Sequence, residues 1–215
     1  MLSQMALTGT GDLYVPATSD FLDLARERGV LAPDDPLTLA YLLPVISVAS
    51  GNPRAIQGLA DLARPGLRVG MGRPDSVCVG RYAAEILEHA GLTASVARNL
   101  VNQAESGSKT AQMLSLGLVD AVLGWDVFDD WDPVHIETLA LRPQEVLRIG
   151  VVAGAVVRHA REPQLAREFL ALLAGPDGRN TFQRHGYLTD LARARALASP
   201  QALLGGTPEL PAAWR

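Results

Sequence analysis

From Gly11 to Tyr187 the chain alternates short apolar, β-branched runs with stretches whose apolar residues recur every three to four positions. This alternation confines the fold to the α/β class, parallel or mixed sheets covered by helices, because parallel neighbours need a helix-length crossover between them. "GDLYVPA" (Gly11 to Ala17) reads as a short strand ended by Pro16. "SDFLDLARERGVL" reads as a helix with Ser19 or Asp20 as N-cap and Gly29 as stop. Pro36 to Gly51 is too apolar and too β-branched for a surface helix, and reads as strand with Pro44 marking an edge or a crossover. A short helix over "NPRAIQGLADLARPG", a strand over Leu67 to Gly72 and a helix over "GRYAAEILEHAGL" follow. The stretch from Thr93 to Trp125 then predicts strand, loop, helix, turn and a buried strand at Asp120 to Trp125. "EVLRIGVVAGAVV" predicts a central strand, and "PQLAREFLALLAGPDGRNTFQRHGY" a helix pair broken at Gly175-Pro176. The last residues, 191–215, are rich in Ala, Pro and Gly without periodicity and read as a surface tail.

The 215 residues suffice for one large domain or two smaller lobes. A net charge of −4 gives no electrostatic footprint for nucleic acid or an anionic membrane. A small buried anion is not excluded, since it responds to local dipoles more than to total charge. Cys78 is the only cysteine, so no intrachain disulfide forms. The longest apolar run, Val146 to Val157, contains Arg148 and falls short of the roughly 18 to 20 residues that span a bilayer. "MLSQMALTGTGDLY" lacks the basic end, apolar centre and cleavage site of a secretory signal, so the chain as written reads as cytoplasmic. A preceding segment carrying a signal would make it periplasmic, or lipid-anchored outside the cell.

No constellation supports an enzyme. The four histidines (His89, His135, His159, His185) have no metal-ligand spacing, and Cys78 has no histidine near it in sequence. "GMGRPD" starts like a dinucleotide fingerprint, but Pro74 and the missing third glycine spoil it. The acidic run "WDVFDDWDP" lacks the glycine and terminal glutamate of a calcium loop and reads as a solvated loop. No cofactor and no metal are expected.

What remains is a set of loops placed between strand ends and helix starts. In open α/β sheets ligands bind beyond the carboxyl ends of strands, where helix N-termini converge. "PATSDF", "RPDSVCVG" and "QAESGSKT" occupy such places and carry small or hydroxyl residues, among them Ser76, Val79, Ser106 and Gly107. Each loop alone is equally well an ordinary βα turn. Two helix N-termini aimed at one cleft would make an anion site without charged side chains.

In this order the segments resemble a known family. "GDLYVPATSDFLDLARERGVL" resembles the "ADLFISAD" segment of periplasmic molybdate- and tungstate-binding proteins. The stretch from Asn52 to Leu87 is similar to their second-lobe entry, with a "DP…G-x-Y-A" pattern at Pro74, Gly80, Tyr82 and Ala83. "GLVDAVLGWDV" resembles their "GEADAGIVYGSDA", and "FLALLAGPDGRNTFQRHGY" their closing "F…L.GP.G...F...G". The resemblance runs from Leu2 to Tyr187.

It implies a type-2 periplasmic-binding-protein fold: two α/β lobes with mixed sheets, joined by two crossover strands, closing on a tetrahedral oxyanion. Lobe one would take 1–45 and 151–190, lobe two 46–150. The crossovers would be "TLAYLLPVISVAS" and "VLRIGVVAGAVV". Carried over by motif, Ala17 would line the cleft from lobe one, and Val79 and Gly107 would donate backbone N–H groups. Trp125 stands where the family commonly has a tyrosine, replacing a hydroxyl with an indole N–H. The chain begins some way into the family pattern, so lobe one is expected to be incomplete, without its first strand, helix and serine loops. The implied function is that of the solute-binding component of an ABC importer, docking on a membrane permease. The alternative is an effector-sensing domain of a transcription regulator with the same fold. An open sheet edge in lobe one further predicts self-association.

Overall fold

The computed structural model describes residues 2–214. By their contacts they form two units. The first comprises 2–41, 150–191 and 204–206, and the second 42–149, 192–203 and 207–214. The chain passes from one to the other inside β2 (Leu37–Leu42) and inside β8 (Arg148–Val156), the segments expected as crossovers.

In the first unit β1 (Leu13–Tyr14) pairs antiparallel with β8, and the strand order is β1-β8-β2. All nine residues of β8 are buried, as its unbroken apolar run demands. Its side chains alternate between two layers. Val151, Ala153 and Ala155 pack with Leu2 of α1 (Leu2–Thr8) and with Leu22 and Ala25 of α2 (Asp20–Glu27). Gly154 points the other way: a side chain there would strike Leu170 of α7 (Pro163–Ala174) and Val15. α8 (Pro176–Arg184) follows after Gly175, the break expected from Gly-Pro.

The second unit holds a five-stranded mixed sheet of β3 (Pro44–Ala49), β4 (Val69–Gly72), β5 (Leu100–Ala104), β6 (Ala121–Trp125) and β7 (Ile136–Ala140), in the order β5-β4-β6-β3-β7. β4 is parallel to both β5 and β6, whereas β3 is antiparallel to β6 and β7. α3 (Cys78–His89) and α5 (Gly107–Ser115) pack on this sheet. Eight residues of α3 are buried, from Cys78 to Leu87, because its apolar residues recur at helical spacing.

Several expectations are corrected. "TASVA", expected as strand for its β-branched residues, is the helix α4 (Thr93–Ala97), and β5 begins only at Leu100. The short helix expected ahead of Pro65 is there as a 3-10 turn, Leu59–Ala63, with Leu59 and Leu62 buried. The acidic run is not a solvated loop: Asp126 is partly buried, Phe128 is fully buried, and Phe128–Trp131 forms α6. Residues 192–203, expected in the tail, are folded into the second unit. α9 (Leu191–Ala196) buries Ala194, Ala198 and Ala202 are also buried, and the Ser199 N–H donates to the Val146 carbonyl at 3.1 Å. β9 (Leu203–Leu204) pairs with β8.

Candidate anion-binding site

Because β4, β5 and β6 run parallel, their carboxyl ends, Gly72, Ala104 and Trp125, lie along one edge of the second unit's sheet. The Arg73 N–H donates to the Ala104 carbonyl at 2.8 Å and ties the first two ends together. Each strand feeds a helix, so the N-termini of α3, α5 and α6 follow from the same edge. A helix N-terminus carries unpaired N–H groups and about half a positive charge. Neither α3 nor α5 has an acidic residue in its first turn, whereas α6, a single turn, carries Asp129 and Asp130 there.

At α3 the N-cap is Val77, which has no capping side chain, and the Gly80 and Arg81 N–H groups turn back to the Val77 carbonyl at 3.0 and 3.2 Å. No described residue accepts from the Val79 N–H. At α5 the Ser106 hydroxyl accepts from the Lys109 N–H at 3.1 Å, and the Ser106 carbonyl accepts from Thr110 at 2.9 Å. The Gly107 and Ser108 N–H groups are left without an acceptor among the described residues. Val79, expected in a loop, thus lies in the first turn of α3. The Ser76 hydroxyl donates to Asp75 at 2.9 Å and its N–H to the Arg73 carbonyl at 3.2 Å.

The glycines of "RVGMGRPDSVCVG" have a packing reason. A Cβ on Gly80 would lie 2.2 Å from the Gly72 carbonyl oxygen and 2.8 Å from the Arg73 carbonyl carbon. Only glycine lets the first turn of α3 seat directly on the end of β4. Gly107 is different, with open space around its Cβ position.

Trp125 is 2% exposed, and its ring meets Tyr82 of α3 edge-on with centroids 5.0 Å apart. The Arg148 guanidinium lies 5.9 Å from the Tyr82 ring and binds Glu85 at 2.8 Å, anchoring α3 to β8. Trp125 is therefore a packed aromatic that also fixes where α3 begins relative to β6.

Two carboxylates organise the surroundings. Asp126 accepts from the Leu43 N–H at 2.9 Å and returns its own N–H to the Leu43 carbonyl at 3.0 Å, clasping the entry to β3. Burial pushes its carboxyl up to about 7, against the backbone hydrogen bonds and with help from the charges of Asp129 and Asp130. At the opposite end of β6, burial also acts to raise Asp120, but hydrogen bonds from the Arg68 side chain and N–H and from Arg54 prevail and hold it at about 2. Glu105, just before Ser106, is neutralised by Lys109 at 2.9 Å.

Ala17 belongs to the first unit, exposed between β1 and α2, whose first turn holds Asp20 and Asp23. Next to it Thr18 is fully buried, and its hydroxyl has no hydrogen-bond partner among the described residues. Sequence reading passed over that residue, as nothing in "PATSDF" distinguishes it. Two cavities lie on the second unit, the first of them reaching Arg73, Ala104, Glu105 and Lys109 beside the α5 N-terminus. One of 340 Å³ lies beside β5 and α5, around Asn102, Gln112 and Leu116, and one of 680 Å³ lies around Glu85, Arg148 and Glu209. Among the described residues no cluster of metal-ligating side chains occurs, and no helix is long and apolar enough to cross a membrane.

The profile of bacterial extracellular solute-binding proteins matches residues 1–188. The chain belongs to that family. Over 187 residues, 87% of this chain and 69% of the relative, it is 29% identical to the molybdate-binding protein ModA of Mycobacterium tuberculosis. A putative binding protein of Haemophilus influenzae is 21% identical over 196 residues, covering 87% of this chain and 75% of the relative. Among solved structures, the periplasmic molybdate-binding protein of Azotobacter vinelandii superposes with a TM-score of 0.72 at 16% identity, covering 87% of this chain and 82% of that one. The sulfate-binding protein SubI of M. tuberculosis reaches 0.78 at 15% identity, covering 94% and 78%. These neighbours establish the type-2 periplasmic-binding fold for this solute-binding protein. Their ligands differ, so the fold does not choose among them.

Proposed function

We propose that this solute-binding protein holds a tetrahedral oxyanion of the molybdate or tungstate type and hands it to the membrane permease of an ABC importer. The observation that carries the reading is the pair of helix N-termini at one sheet edge. α3 and α5 offer the N–H groups of Val79, Gly107 and Ser108 without acceptors among the described residues and without an acidic first-turn residue. Such donors match an anion with several oxygens and no need of a countercharge. Ser106 contributes by shaping the α5 terminus, and Trp125 by fixing α3. The 29% identity to ModA supports molybdate over sulfate as the oxyanion.

Thermal unfolding of the protein with molybdate, tungstate or sulfate tests the assignment. A ligand at a hundredfold excess over its Kd stabilises by about 2.7 kcal/mol, which raises Tm by roughly 5 to 10 °C for a chain of this size. Molybdate and tungstate should give that shift and sulfate a smaller one. No shift with any of the three rejects the reading.

A further inference from the structure

Each of the two loops that lead into the donor helices carries a carboxylate, and each carboxylate is tied to a cation. Before α3, Asp75 lies 3.5 Å from the Arg73 guanidinium and accepts from the Ser76 hydroxyl at 2.9 Å. Before α5, Glu105 lies 2.9 Å from the ammonium of Lys109, in the first turn of the helix. Glutamate four residues ahead of lysine is the favourable orientation for such a pair. Arg73 adds a weaker pull on Glu105, and with Glu105 and Lys109 it lines the 340 Å³ cavity beside the α5 N-terminus.

Exposed ion pairs of this kind add little stability. Their placement matters more. Glu105 stands two and three residues ahead of the Gly107 and Ser108 N–H groups, and a carboxylate at a helix start accepts charge-assisted hydrogen bonds from such groups. Reach does not prevent it: the shorter Asn52 side chain accepts from the Ile56 N–H, four residues on, at 3.0 Å. Nor does crowding, since nothing lies within 4 Å of a Cβ placed on Gly107. Yet Glu105 accepts from the Lys109 ammonium, and the two N–H groups stay without an acceptor among the described residues. On the oxyanion reading of this site, we infer that Lys109 is a positioning residue that holds Glu105 off the α5 N-terminus, so that the chain does not cap its own anion site. Glu105 is then an internal competitor of the oxyanion, and Lys109 the latch that restrains it.

Calorimetric titration of molybdate into the full chain and its variants, with Tm recorded alongside, tests the latch. In Lys109→Met the released carboxylate acts as a cap of ordinary strength and should lower the apparent affinity by about 3- to 30-fold. Lys109→Arg keeps the ion pair and should keep the parent affinity. Glu105→Ala removes the competitor, so Lys109→Met added to it should cost no affinity. Every variant should melt within about 2 °C of the parent, because the pair is exposed. A Lys109→Met protein that binds molybdate as the parent does overturns the inference. So does a double variant as weak as Lys109→Met alone, since the lysine charge would then act on the anion directly. A parent that binds none of molybdate, tungstate and sulfate rejects the oxyanion reading itself and the latch with it.

Discussion

Gly80→Ala separates two physical effects by sign. Alanine is favoured over glycine inside a helix by about 1 kcal/mol, so propensity alone predicts a more stable protein. The new Cβ, however, would lie 2.2 Å from the Gly72 carbonyl oxygen and 2.5 Å from its carbon. An ordinary carbon–oxygen contact needs about 3.3 Å, so α3 must move away from β4 by about 1 Å. Both obstructing atoms are backbone, so no rotamer change relieves the clash. α3 carries Tyr82, Ala83, Ala84, Ile86 and Leu87 in the core, and displacing it disturbs all five. Overpacking of this kind costs about 3 kcal/mol. After the propensity gain, the net loss is about 2 kcal/mol, or roughly 4 to 8 °C in Tm. The shift also carries the Val79 N–H off its mark, so oxyanion affinity should fall together with stability. Thermal and urea unfolding followed by circular dichroism, with a titration of the folded variant, measures both. A Gly80→Ala protein as stable as the parent would refute the close-packing argument.

The carboxylates give predictions of opposite sign. Asp126, with a folded pKa of about 7 against an ordinary 3.8, binds its proton more tightly in the folded state, so its burial penalty grows as pH rises from about 4 to 7. Asp126→Asn keeps an acceptor for the Leu43 N–H and removes the penalty. Unfolding midpoints at pH 5 and pH 8 should therefore differ less in the variant, which should be the more stable protein at pH 8 by at most about 4 kcal/mol. Asp120 is the reverse case, held near 2, so its contribution is present above about 4 and is lost as pH falls through about 2. Asp120→Asn should cost about 2 kcal/mol at neutral pH, with the difference from the parent vanishing in acid titrations of unfolding.

Much of the architecture is legible in apolar periodicity. The runs that became β3, β6 and β8 are continuous because both faces of those strands are buried. Gly175-Pro176 announced the break between α7 and α8 for the reason that proline suits only a first helical turn. Reading failed where polar residues mask a role set by tertiary contacts. "IETLA" has a polar Glu and Thr and went unnoticed, yet it is the edge strand β7, paired with β3. The charges of "WDVFDDWDP" suggested solvent, but Phe128 is buried and Asp126 clasps Leu43. The alanines of the last segment show no periodicity, and alanine needs none to fill a tight space.

The site was legible as loop chemistry but not as geometry. Small residues before Val79 and Gly107 hinted at open N–H groups. That both N-termini share an edge depends on β4 lying between β5 and β6, a strand order no local pattern encodes. Ser76 shows the limit from the other side, since its hydroxyl looks available in sequence and is committed to Asp75 in the fold.

Gly107→Pro isolates the proposed donor. Proline suits the first helical position, Ser106 before it is already extended (φ −159°, ψ 161°), and the Gly107 site has room. The substitution deletes one N–H and leaves the fold in place. A hydrogen bond to a charged group is worth about 1.5 to 3 kcal/mol, so the affinity for the bound oxyanion should fall by about 10- to 150-fold. Calorimetric titration of molybdate into the parent and the variant, with Tm recorded alongside, is the direct measurement. The parent should bind one molybdate per chain, and the variant should be equally stable but bind at least about tenfold more weakly. A folded Gly107→Pro protein that binds molybdate as tightly as the parent would contradict it.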